Sequence, residues 1–97
     1  MIINQLVEIL LSAHISRGTE RINHIRKFQE IVWNDKSVED ESLNNFLSTL
    51  AYDFDFYEPN KAIKNEDLSY YGDERLIEEI KMGLEKLKKY KGGNVPE

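Results

Sequence analysis

Apolar residues recur at helical spacing in four stretches of the chain, with polar punctuation between them. The first stretch runs from about Ile3 to Ala13, where Ile3, Leu6, Val7, Leu10 and Leu11 share a face. Its polar residues Asn4, Glu8 and Ser12 fall four apart, and the segment is almost apolar all round, which predicts heavy burial. The second starts after Ile15, with Ser16 as N-cap, and continues to about Trp33. Its inner stripe is Ile22, Ile25, Phe28 or Gln29, and Val32; Arg17, Arg21, Arg26 and Lys27 belong largely to the outer surface. Gly18 weakens its first turn modestly.

Ser37 or Asp40 can cap the third helix, predicted from about Glu41 to Phe56 with Leu43, Phe46, Leu47, Leu50 and Phe54 inward. Pro59 is expected to stop it, because the residue before a proline is pushed out of the helical region. A long polar segment follows, and Gly72-Asp73 reads as a turn and an N-cap. The fourth helix then spans roughly Glu74 to Tyr90, with Leu76, Ile77, Ile80, Leu84 and Leu87 on one side. Residues 91–97 are expected to form a C-cap and a frayed tail. Strand-like alternation occurs only in the short run Tyr52–Tyr57. The expected fold is all-α: one small domain like a four-helix bundle, with a long acidic loop before its last helix.

Length and composition fit this. Ninety-seven residues with 40% hydrophobic content suit a single core and argue against disorder. The chain has no cysteine, which removes disulfides and thiolate chemistry. The apolar N-terminal run lacks a basic lead and contains Glu8, so neither a signal peptide nor a membrane span is expected, and the cytoplasm is the default location. The net charge of −5 disfavours direct binding to nucleic acid. Its distribution is more informative. Between Asp53 and Glu79 nine acids face three bases, a local balance of −6 that leaves the remainder near +1. A localised field of this kind steers basic partners.

Candidate chemistry is sparse. His14 and His24 are the only imidazoles; the first belongs to a helix C-terminal turn and the second reads as a half-exposed surface residue. Asp53, Asp55 and Glu58 are close in sequence, but Phe54 and Phe56 intervene and the glycine of a calcium loop is missing. No nucleophile constellation or phosphate-cradling glycine motif is present, so neither catalysis, nor a cofactor, nor a metal is expected. The bland reading of the acids is a solvated face. Against it stands a polar loop that is unusually long for so small a domain, carrying Leu68, Tyr70 and Tyr71 as apolar anchors. Tyrosines beside acids suit a protein interface.

The segments "LLSAHISRGTERINHIRKFQEIVW" and "AYDFDFYEPN…LSYYGDERLIEEIKMGLEKLKKY" resemble the colicin D type immunity proteins, over roughly Leu6 to Lys89. The most specific feature is the aromatic-Glu-Pro pattern, here Tyr57-Glu58-Pro59, followed by an acidic loop and an amphipathic last helix. The resemblance implies a small helical bundle that binds a cognate nuclease toxin, typically a tRNA-cleaving ribonuclease, and places carboxylates where RNA phosphates would sit. Glu58 would then be a principal acid facing the toxin's active site. The family pattern has an acid after the proline, where this chain has Asn60, which points to a different toxin with Asp55, Glu66 or Asp67 compensating. The expected toxin-binding set is Asp55, Tyr57, Glu58, Asn60, Glu66, Asp67, Tyr70, Tyr71 and Asp73. The expected partner is the basic C-terminal domain of that toxin, bound by a monomer in a 1:1 complex that buries on the order of 1,200–2,000 Å². The alternative is an acidic helical adaptor for some other basic protein.

Overall fold

The helices of the protein fall in the four stretches that the apolar spacing marks out. The computed structural model describes residues 2–35, 38–58, 65 and 70–93. Among these are four α-helices: α1 (Ile2–Ile15), α2 (Gly18–Asn34), α3 (Glu41–Phe54) and α4 (Asp73–Gly93). The helices form a ring, with α1 and α3 each packed between α2 and α4. No strand forms among the described residues; the one β-type contact is an isolated parallel bridge between Tyr57 and Tyr71. No described helix is long and apolar enough to cross a membrane.

A single apolar cluster fills the ring. It takes Ile3, Leu6, Leu10 and Ala13 from α1, Ile25, Phe28 and Val32 from α2, Leu43, Leu47 and Leu50 from α3, and Leu76, Ile80 and Leu87 from α4. Phe28 and Phe54 meet edge to face at 5.3 Å, the arrangement that ring quadrupoles favour. Gly83 permits a close helix approach. A Cβ there would lie 2.7 Å from Leu50 Cδ2 and 3.2 Å from Leu10 Cδ1, so two core leucines from opposite sides of the ring meet over the bare backbone of α4.

Several boundaries differ from the sequence expectation. Leu11, expected inward, is 46% exposed and Ile15 80% exposed. Two neighbouring helices cover only the arc of α1 centred on Leu6 and Leu10, and Leu11 lies a further 100° around. Ser16 does not cap α2. Its N–H donates to Ser12 O at 3.0 Å and its hydroxyl to Ala13 O at 3.4 Å, so it completes α1. The α2 cap position falls to Arg17, extended and without a side-chain cap, and Gly18 begins the helix at φ +60°. That left-handed conformation is what the two-residue reversal requires, and glycine adopts it without penalty.

For α3, Asp40 is the cap: its carboxylate accepts from Leu43 N at 2.9 Å. Ser37, the other candidate, lies outside the described residues. The helix ends at Phe54, before the expected Phe56 and ahead of Pro59. The N–H groups of Asp55, Phe56 and Tyr57 donate three residues back, to Tyr52, Asp53 and Phe54 carbonyls at 3.0–3.1 Å. This tightened last turn ends the helix, since Tyr57 must extend to meet Tyr71.

Candidate protein-binding face

The α3–α4 connection is fastened at its base. Tyr71 N–H donates to Phe56 O at 3.0 Å and Glu58 N–H to Tyr71 O at 2.8 Å. The two bridged tyrosine rings lie 6.3 Å apart. Tyr71, expected as a surface anchor, is instead part of the footing at 7% exposure. Its hydroxyl donates to Asp53 O at 2.6 Å, and the Arg75 guanidinium lies 4.7 Å from its ring centroid. Burial pushes the Tyr71 phenol up, helped by the charges of Glu79 and Asp53.

Tyr57 is half-buried beside it, and its hydroxyl donates to Asp73 Oδ1 at 2.5 Å. Burial first, and the Asp73 carboxylate second, hold this phenol up at about 12. The same Asp73 oxygen accepts from Arg21 NH1 at 3.1 Å. Asp73 opens α4, where the helix dipole also favours a carboxylate. Its side chain remains 62% exposed, so it serves the footing and still faces solvent.

Arg21 is the main correction to the sequence reading, which placed it on the outer surface. It is buried, with Nε donating to Ala13 O at 2.9 Å and NH2 to His14 O at 3.0 Å. These are last-turn carbonyls of α1, which have no partner within their own helix. A guanidinium fork can serve both and still reach Asp73. The available clue was an arginine in the first turn after a very short helix connection, close to a helix C-terminus in need of donors.

Among the expected contact residues, Asp55 and Asp73 are exposed, while Tyr57, Glu58 and Tyr70 are half-buried. Asp55 sits 3.5 Å from the Gln29 amide, which donates at 3.0 Å to Ala51 O and so packs α2 against the end of α3. Asn60, Glu66, Asp67 and the anchor Leu68 lie outside the described residues. Glu74 and Glu78 add exposed carboxylates on α4. Glu79 does not: it is 7% exposed, with Arg75 Nε at 3.5 Å.

One contributor was missed as a surface residue. Tyr52 is 61% exposed, and its ring lies edge to face with Phe56 at 5.3 Å. The two rings are four residues apart in sequence, a spacing that brings side chains together on a helical turn.

The acidic face has a basic border. A groove of about 680 Å³ is lined by His14, Arg17, Arg21, Tyr57, Asp73 and Lys81, among others. No group of three or more His, Asp or Glu side chains among the described residues is placed to hold a metal. The bridge between Tyr57 and Tyr71 therefore has one clear consequence. It draws Asp55 and Glu58 to the same end of the molecule as Asp73 and Glu74, on a base whose own polar groups are satisfied. The chain matches no family model, no curated protein and no solved structure.

Proposed function

We propose that this chain is an immunity protein: it binds the nuclease domain of a cognate bacterial toxin, a tRNA-cleaving ribonuclease, and blocks the active site. The supporting observation is the convergence of Asp55, Glu58, Asp73 and Glu74 through the tyrosine bridge. A nuclease cleft is cationic because it holds a phosphate backbone, so carboxylates fixed on a rigid base complement it. Fixing them matters, because an interface loses affinity to every group it must order on binding. Glu58 takes the leading role. Its backbone donates to Tyr71 and so sets the position from which its side chain starts.

The test is co-expression with the nuclease domain of a candidate cognate toxin, sought first among the neighbouring genes. Protection and a purified complex are expected, with affinity falling steeply as salt is raised. Glu58→Lys should abolish protection while leaving the helical circular dichroism spectrum unchanged. Loss of fold in that variant would assign Glu58 to structure. No protection and no complex would remove the immunity reading and leave an acidic adaptor for a different basic protein.

A further inference from the structure

Two of the aromatic rings on the α3–α4 side carry a cation supplied by the protein itself. Arg75 lies over Tyr71 at 4.7 Å and Lys86 over Phe46 at 5.7 Å. Tyr52 is the most exposed aromatic among the described residues, and no described cation lies over it. Its ring is nonetheless held. Phe56 packs against the core and presses edge to face on Tyr52 at 5.3 Å, at 73°. Tyr52 is on the last turn of α3, with Asp53 next to it in sequence and Asp55 just beyond the helix end. The segment it opens carries nine acids against three bases.

We infer that Tyr52, braced by Phe56, is an anchor for an arginine side chain of a basic protein partner. A guanidinium stacks on an aromatic face and is less strongly hydrated than an ammonium, so it gives up less on reaching a surface of this kind. The acids at the helix end supply the attraction that brings it there, and the ring supplies the flat, ordered contact. A fixed tyrosine loses little conformational freedom on binding, which is why such residues dominate interfaces. The charge balance selects the occupant: the field of Asp53, Asp55 and Glu58 attracts a basic partner, repels an acidic one and does not draw in a neutral one.

This rests on the acidic end being a docking face, and the experiment separates the two ideas. Hexaarginine and hexalysine peptides are titrated at equal ionic strength into the protein and into Tyr52→Leu, which keeps apolar area but removes the ring. The ring protons of Tyr52 and Phe56 are followed by NMR. Larger shifts with arginine than with lysine, and loss of that preference in Tyr52→Leu, are expected. Equal shifts with both peptides, or shifts confined to α4, would overturn the inference. With the toxin domain, Tyr52→Leu should weaken binding about tenfold, within the range of a partly desolvated cation–π contact. Unchanged toxin affinity would sink the Tyr52 anchor while sparing the immunity reading. Arginine-selective shifts without any toxin binding would do the reverse. Because Tyr52 is 61% exposed, the variant should keep its fold, and an unchanged thermal melt checks this.

Discussion

The two connections at one end of the ring solve the same problem by opposite means. Between α1 and α2 only Ser16 and Arg17 intervene, and the reversal is completed by a left-handed glycine and by Arg21 reaching back to the α1 carbonyls. Between α3 and α4 the chain runs through residues 55–72, fastened at its base by the Tyr57–Tyr71 bridge. The short connection is held by backbone geometry and one buried cation. The long one is held by two tyrosines whose hydroxyls both find acceptors. They are joined, because Arg21 and Tyr57 share the Asp73 carboxylate. A rigid corner thus lends its rigidity to a connection whose length alone would not supply it.

Breaking the shared residue should have the largest effect. Arg21→Ala removes three hydrogen bonds, two of them to last-turn carbonyls of α1, and leaves Ala13 O with only the long bond from the Ser16 hydroxyl. A loss of about 2–3 kcal/mol is expected by chemical denaturation. Arg21→Lys should recover less than half of it, because one ammonium cannot reach both carbonyls and Asp73. Most of the loss belongs to the buried side of the network, since the exposed Asp73 carboxylate is screened by water. If Asp73→Asn proves as costly as Arg21→Ala, that ranking is wrong and the long connection governs both.

A smaller effect isolates the short connection. Gly18→Ala forces an L-residue to φ +60° in open space, where nothing within 4 Å compensates, and should cost about 1 kcal/mol. The neutralisation assay should be unaffected, because the tyrosine bridge is untouched.

The long connection is tested by alkali. The Tyr57 phenol is raised to about 12 and that of Tyr71 is raised as well, so the folded state favours the protonated form of each. Their contribution to stability is therefore complete below the unfolded-state value near pH 10 and is lost as pH rises from there through about 12. Tyr57→Phe should cost about 0.5–1 kcal/mol at neutral pH and flatten this alkaline decline in part. An unchanged slope would show that the tyrosines do not fasten the segment.

How much of this could be read from the chain follows from the range of the interactions. The apolar stripes of all four helices were legible, because periodicity and burial are linked by local geometry alone. The Tyr52–Phe56 contact is equally local, since it depends only on a spacing of four. Asp40 was legible as one of two cap candidates, whereas Asp73, read as the cap ahead of α4, is its first residue and turns its carboxylate to Tyr57 and Arg21. The role of Arg21 was not legible. A helix wheel assigns charged residues to solvent and carries no information about orphan carbonyls at the end of a neighbouring helix. The end of α3 was also misjudged, since Pro59 is a local signal and the Tyr57–Tyr71 bridge that ends the helix earlier is not.

The sequence by itself determined four amphipathic helices, most of their core residues and an excess of acid between Asp53 and Glu79. Tertiary structure decided which acids are presented and which are used internally. Glu79 is buried beside Arg75, Asp73 is shared with Arg21 and Tyr57, and Asp55 and Glu58 are carried to the end of the ring. Charge is a property of composition. The position of a charge depends on hydrogen bonds between residues far apart in the chain, and these form only once the helices have packed.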